Sequence, residues 1–111
     1  MTLHITHPAV NQIVDEVLKV AKVEMEGVIS SSRKRENVQA RQLIAFYVRQ
    51  YTDMCYREIG ERLGGRDHTT IMACIDRLNA LCESGDKQMC DLVKKMNRRF
   101  RDMTEEQQII K

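Results

Sequence analysis

Hydrophobic residues recur at intervals of three and four in three parts of the chain. This spacing places them on one side of an α-helix and predicts a helix beginning near Pro8, one over residues 38–54 and one over residues 86–101. The positions are Val10, Ile13, Val14, Val17 and Leu18, then Ile44, Tyr47, Val48 and Tyr51, then Met89, Val93, Met96 and Phe100. Between the first two helices, residues 21–29 are patchy, with Val23, Met25, Val28 and Ile29 apolar and Gly27 among them, which predicts a single helical turn packed on the core.

Residues 56–82 carry the pattern of a helix-turn-helix. A short first helix is expected to end near Leu63, because Gly64 and Gly65 supply the positive φ that ends helices at low cost. Asp67 is then placed to cap a second helix by accepting a free backbone N–H from its first turn. The apolar face of that second helix consists of Ile71, Ile75, Leu78 and Cys82.

Together these elements predict an all-α fold, a compact bundle of about five to six helices that contains the helix-turn-helix. A chain of 111 residues suits one domain with a modest core, in which we expect Tyr47 and Tyr51. The predicted domain covers residues 8–101, with a flexible N-terminus at 1–7 and a frayed C-terminus at 102–111. No apolar run approaches the ~20 residues that cross a bilayer, and the start lacks a secretion signal, so a cytoplasmic location is expected.

The charge of the chain is unevenly distributed rather than large, since the formal net charge is only +2. Basic residues concentrate in a polar loop at residues 30–37 and on one face of the last helix. The loop is either a solvated connection or a phosphate contact, which Arg41 and Gln42 in the first turn or so of the next helix would extend. The basic face of the last helix is either a second phosphate contact or solvated surface. This helix is also where we expect a partner protein.

Several chemistries are excluded by spacing. The four cysteines lack the paired or histidine spacing of a zinc site, so reduced, half-buried thiols are expected. Gly64 and Gly65 are not followed by the Lys-Ser/Thr of a phosphate loop. His68 has Asp67 and Thr69 beside it, but neighbours on one helix do not point at each other as a catalytic set requires. We therefore predict no enzymatic activity, metal, cofactor or bound nucleotide.

The seven residues GGRDHTT, at positions 64–70, resemble the signature of the C-terminal DNA-binding domain of the bacterial replication initiator family, DnaA. The resemblance extends to REIGERLGGRDHTTIMACIDRL, to the upstream loop SSRKRENVQARQ and to the helix between them, covering about residues 8–100. It implies a helix-turn-helix fold of the DnaA C-terminal or Trp-repressor type. The nucleotide-binding AAA+ domain and the N-terminal domain of the family are missing, so we expect an excised domain or a small stand-alone DnaA-like protein.

The resemblance also implies a role for each matching position. The base contacts are Arg33, Asp67, His68 and Thr69, and the DNA backbone contacts are Ser32, Lys34, Arg35, Arg41, Gln42, Arg57, Arg66 and Thr70. Asp67, His68 and Thr69 would face the major groove, and Arg33 would enter the adjacent minor groove. Two positions depart from the family: Arg57 stands where proline is frequent, and Glu36 adds an acid to a loop that is usually more basic.

The function implied is sequence-specific binding of double-stranded DNA at DnaA-box-like sites on the nucleoid, in replication initiation or its regulation. The alternative is a helical protein-interaction module or transcriptional regulator that keeps the fold but binds DNA weakly or without specificity. The low net charge and Glu36 are the best support for that alternative.

Overall fold

The third helix has the most buried residues of the described helices, and the other elements are arranged around it. The computed structural model describes residues 10–110, and the side chains of residues 10–102. The six helices of this part are α1 (Val10–Ala21), α2 (Met25–Ile29), α3 (Arg35–Tyr51), α4 (Tyr56–Arg62), α5 (His68–Glu83) and α6 (Lys87–Ile110). No strand occurs among the described residues, so the predicted all-α class is confirmed. The predicted start at Pro8 and the N-terminal segment 1–7 lie outside the described residues.

Helix α3 forms the centre of the core and packs against α1, α2, α4 and α5. Its Tyr47 is only 1% exposed, and the ring lies 4.9 Å from that of Phe100 on α6. The phenol donates a 2.7 Å hydrogen bond to the Asn97 side chain, which satisfies its one polar group. Burial raises the pKa of Tyr47 well above its ordinary value, so the hydroxyl stays protonated. The predicted core position of Tyr47 is confirmed.

The helix-turn-helix is confirmed, with α4 and α5 joined by a tight turn. Gly64 and Gly65 adopt φ angles of 87° and 80°, the left-handed conformation that the sequence predicts for them. The Gly60 carbonyl accepts hydrogen bonds from the backbone N–H groups of Gly65 (3.1 Å) and Arg66 (2.9 Å), which folds the turn back on α4. Among the described residues, no helix is both long and apolar enough to span a membrane.

Two helix boundaries differ from prediction. Helix α3 starts at Arg35 rather than residue 38, because the Lys34 carbonyl already accepts the N–H groups of Asn37 and Val38. The predicted single helical turn is confirmed as α2, which contains Gly27 and packs Val28 in the core; the Asn37 side chain lies 2.8 Å from where a Cβ on Gly27 would stand. The predicted end of the last helix at residue 101 is wrong, because α6 is helical to Ile110. Fraying of the final residues stays a prediction.

Candidate nucleic-acid interface

The first turn of α5 presents an exposed polar tip at residues 67–70. Asp67 caps the helix, as predicted, by accepting the Thr69 backbone N–H at 3.4 Å and the Thr69 hydroxyl at 2.6 Å. These hydrogen bonds from Thr69 lower the pKa of Asp67, so its carboxylate is charged at neutral pH. The His68 Nδ1 atom lies 3.3 Å from the same carboxylate. A capped helix end with exposed donors, acceptors and methyl groups suits contact with base edges.

The basic loop, defined as residues 30–34, is held by hydroxyl groups of its own serines. The Ser32 Oγ atom accepts hydrogen bonds from the Lys34 backbone N–H (3.2 Å) and from the Asn37 side chain (3.0 Å). Ser30 Oγ in turn accepts the Ser32 backbone N–H at 3.1 Å. Arg33 and Lys34 remain exposed. The loop therefore offers two cations from a folded backbone rather than from a loose connection.

Arg41 is not the exposed cation that the sequence predicts. Because α3 begins at Arg35, Arg41 lies in the second helical turn, where it is 7% exposed. Its Nε atom donates to the Val28 carbonyl at 2.7 Å, and its Nη2 atom donates to the carbonyls of Gly27 (3.2 Å) and Ser30 (2.9 Å). Burial, and then the charge of Arg66, lower the pKa of Arg41. Its guanidinium thus donates hydrogen bonds to carbonyls at the end of α2. The last carbonyls of any α-helix have no partner within the helix and need such donors.

Arg66, another predicted backbone contact, also turns toward the protein. Its Nη2 atom donates to the Ser30 carbonyl at 2.7 Å, and its Nη1 atom contacts the carbonyls of Leu63 and Ile29. Gly64 lies so close that a Cβ on it would stand 2.3 Å from the Ile29 carbonyl oxygen. We call this contact between the turn and the end of α2 the joint; it comprises Arg41, Gly64, Arg66 and the carbonyls of residues 27–30. Nothing in the sequence pattern pointed to it.

A shallow cavity of about 370 Å³ lies beside the basic loop. Its polar lining consists of Arg33, Arg35, Gln39, Gln42, Arg77, Asp86 and Gln88. Arg35 donates to the Gln88 side chain at 3.1 Å. Gln42 is 7% exposed, and its Oε1 atom is buried without a hydrogen-bond partner among the described residues. Sequence reasoning missed Arg77, although it stands seven residues, or two helical turns, after Thr70 on α5.

Two further side chains of the helix-turn-helix are exposed. Arg57 lies at the start of α4. Its Nε atom is 4.0 Å from the carboxylate of Glu61, one helical turn later, and the two form an exposed ion pair. Met72 is 43% exposed on α5, one turn after His68, and sequence reasoning did not single it out. The structure therefore presents Arg33, Lys34, Arg35, Arg57 and residues 67–70 at the surface, while Arg41 and Arg66 lie in the joint.

Comparison with known proteins agrees with this geometry. The model of a family described as bacterial dnaA protein helix-turn-helix matches residues 10–78. The chain is 43% identical over 74 residues to the chromosomal replication initiator protein DnaA of Gloeobacter violaceus, covering 67% of the chain and 16% of the relative. It is 39% identical over 85 residues to the protein of that name from Nostoc sp., covering 71% and 18%. It is 32% identical over 95 residues to that of Microcystis aeruginosa, covering 86% and 20%. The chain thus spans at most about a fifth of these relatives.

Proposed function

The chain belongs to the bacterial DnaA helix-turn-helix family, and on that premise we propose that it binds double-stranded DNA at DnaA-box-like sites. One observation carries the proposal: Arg41 and Arg66 both donate to the Ser30 carbonyl, which fastens the first residue of the basic loop to the turn that precedes the polar tip of α5. Two reading elements fixed at one separation suit two adjacent grooves of one duplex.

In the major groove, the polar tip of α5 is the proposed reader. Asp67, His68 and Thr69 would contact base edges, and the Thr69 methyl group would pack against a thymine methyl. Thr70 would bond a phosphate from the positive end of the helix dipole. Because Asp67 is charged and held by Thr69, it would accept a hydrogen bond only from a base that offers a donor, such as cytosine N4.

In the minor groove, Arg33 is the proposed reader, since a narrow A·T-rich groove attracts arginine. Lys34 and Arg35 would bond the flanking phosphates. Gln42, Ser32 and Arg57 stay in the proposed backbone set, and Arg77 joins it because it lines the same cavity as Arg33 and Arg35. We propose that the joint residues Arg41 and Arg66 do not contact phosphate. Their role is to position the loop and the turn. Cations that touch phosphates would supply the salt-dependent part of the affinity.

Fluorescence anisotropy tests the specificity. A labelled duplex carrying the family's box should bind at least about a hundredfold more tightly than a scrambled duplex at physiological salt, because each good base contact contributes about 1–3 kcal/mol of discrimination. Equal affinities would reject the site-specific function and leave the alternative, a helical module with weak or non-specific DNA binding.

The salt dependence of the DNA affinity tests which cations contact phosphate. Lys34→Ala and Arg35→Ala should each flatten the slope of log affinity against log salt by about one unit, for box and scrambled duplexes alike. Lys94→Ala on α6 removes the same charge from an exposed position away from the interface and is the matched control. A slope lowered equally by Lys94→Ala would mean that total charge, not phosphate contact, sets the affinity.

The proposed place of action is the nucleoid, in the cytoplasm, during replication initiation or its control. Two roles fit the proposed activity: the DNA-binding part of an initiator, or a regulator that competes with an initiator for its boxes. Both are non-catalytic for this domain and need no bound metal or nucleotide here. A protein partner on α6 remains part of the proposal.

A further inference from the structure

A second basic surface lies between α1 and α6, away from the proposed DNA site. It is a cavity of about 530 Å³, lined by five cations and a single carboxylate, all of them on the two helices except Lys22, which directly follows α1. The lining residues are Lys19, Val20, Lys22, Lys95, Arg98, Arg99 and Asp102. We call it the α1/α6 cavity. Five positive charges converging from two distant parts of the sequence repel each other, so an anionic occupant would be favoured.

The charges of the α1/α6 cavity are only partly neutralised within the protein. Glu16 forms an ion pair with Arg99 and lies 3.8 Å from Lys19. Lys95 lies 3.7 Å from Asp91 on its own helix. Within the part of the chain whose side chains are described, Lys22 and Arg98 form no ion pair. These two side chains are therefore available to a ligand.

The backbone of Lys22 supplies an independent observation. Its φ angle is 60°, and it is the one non-glycine residue with positive φ in the described chain. Lys22 directly follows α1, a position where glycine is the usual choice. A side chain with a Cβ costs about 1 kcal/mol in this conformation. Such strain is typical of positions kept for a function, and here it sets an ammonium group at the edge of the cavity.

The α1/α6 cavity is not a continuation of the DNA site. Lys22 also borders a neighbouring cavity that reaches Lys34 of the basic loop. That neighbour carries three carboxylates, those of Glu24, Glu26 and Glu36. An acidic strip therefore separates the α1/α6 cavity from the loop, and a DNA backbone following this path would be repelled.

We propose that the α1/α6 cavity docks an acidic segment of a partner protein, with two or three closely spaced Asp or Glu side chains. A concave site of this volume admits side chains of an extended peptide, whereas a duplex presents convex ridges of phosphate. Arg98 pairs with a carboxylate in the planar, two-bond geometry that guanidinium favours, and Lys22 adds a point charge. The partner binds α6 while the polar tip and the basic loop stay open to DNA.

The first test is an NMR titration of the ¹⁵N-labelled full chain with an octaglutamate peptide, and with octaglutamine as the uncharged control. Octaglutamate should shift the backbone amides of residues 19–22 and 95–99, leave residues 30–34 and 67–70 unmoved, and lose affinity as salt rises. Octaglutamine should shift none of them. Absence of shifts up to about 1 mM peptide, or shifts centred on the basic loop, would overturn the proposal.

Substitutions in the cavity distinguish a loss of peptide binding from a loss of protein stability. Lys22→Gly removes the ammonium group but relieves the left-handed backbone, so peptide affinity should fall about fivefold while resistance to urea holds or improves. Arg98→Gln should weaken the peptide about fivefold or more, and Lys94→Gln, with the same charge change outside the cavity, should not. Equal losses for Arg98→Gln and Lys94→Gln would overturn the proposal. So would an equal loss of duplex affinity in Arg98→Gln, because the cavity would then belong to the DNA site.

Discussion

Arginine occurs in two opposite settings in this protein, the joint and the reading edge formed by residues 32–35 and 67–70. In the joint, Arg41 and Arg66 donate their N–H groups to backbone carbonyls, with distances of 2.7–2.9 Å to the carbonyl oxygens of Val28 and Ser30. At the reading edge, Arg33 and Arg35 are exposed, and Arg35 donates a hydrogen bond to the Gln88 side chain. The same guanidinium group thus acts inside the protein in one region and faces solvent in the other.

The difference shows that a basic residue near a DNA-binding motif need not bind DNA. A five-residue helix such as α2 cannot pair its last carbonyls with its own N–H groups. A guanidinium beside the helix end can donate hydrogen bonds to several of these carbonyls at once. Changes in the joint should therefore alter stability and all DNA binding together. Changes to the exposed Arg33, Lys34 and His68 at the reading edge should alter DNA binding alone.

The largest effect is expected for Gly64→Ala. The new Cβ combines the left-handed backbone strain with a 2.3 Å approach to the Ile29 carbonyl oxygen, so the free energy of unfolding should fall by about 4 kcal/mol. Gly65→Ala is the matched control, because Gly65 has a similar φ of 80° with no atom within 4 Å of the added Cβ. It should cost only about 1 kcal/mol. Urea unfolding measures both, and equal costs would mean that the turn does not press against α2.

Arg41→Ala should lower the free energy of unfolding by about 3 kcal/mol, because it removes the side-chain donor of the buried Val28 carbonyl and one donor each of the Gly27 and Ser30 carbonyls. Box and scrambled duplexes should lose affinity together, since the loop and the turn lose their common support. Arg35→Ala, at the exposed start of the same helix, should cost less than about 0.5 kcal/mol in urea unfolding. A stable Arg41→Ala protein with a flatter salt slope would instead assign Arg41 to phosphate contact.

At the reading edge, His68→Ala and Thr69→Ala should leave folding nearly unchanged and reduce the preference for the box. Each lost base contact should cost about 1–3 kcal/mol of discrimination, while affinity for scrambled duplex persists. Anisotropy with both duplexes measures the ratio. If scrambled binding fell as far as box binding, the polar tip would be a phosphate contact rather than a reader.

The smallest effect concerns pH and the cap of α5. The lowered pKa of Asp67 means that its stabilisation is present above the ordinary value of 3.8 and is lost as pH falls through the lowered folded value. Asp67→Asn keeps an acceptor for the cap but does not titrate. Between about pH 7 and pH 2, the wild type should therefore lose more unfolding free energy than Asp67→Asn. Parallel losses in urea unfolding would show that the cap does not respond to the charge.

Features that depend on near neighbours in the chain could be predicted from the sequence. The turn at Gly64 and Gly65 and the cap at Asp67 each involve residues within six positions of one another, so the local pattern contains the information. The start of α3 was missed because Lys34 caps it without a side-chain hydrogen bond, and no Ser, Thr or Asp marked the place.

The joint could not be predicted because it depends on contacts between distant residues. Arg66 meets the Ser30 carbonyl across 36 positions, and Arg41 meets it across 11. In the sequence, both arginines stand beside residues that resemble DNA contacts, so pattern alone assigns them to DNA. The hydrogen bonds that the side chains donate to the Ser30 carbonyl distinguish the supporting arginines from the exposed ones.

The sharing of one Ser30 carbonyl by two arginines has a consequence for motion. Opening the end of α2 removes a partner of Arg66, and opening the turn removes a partner of the α2 carbonyls, so the two segments should open as one cooperative unit. Their amides report this in native-state hydrogen exchange: Val28 on α2 and Arg66 in the turn, each bonded within its own segment, should exchange with the same opening free energy. The distance between the basic loop and the polar tip of α5 would then stay constant until both segments unfold together.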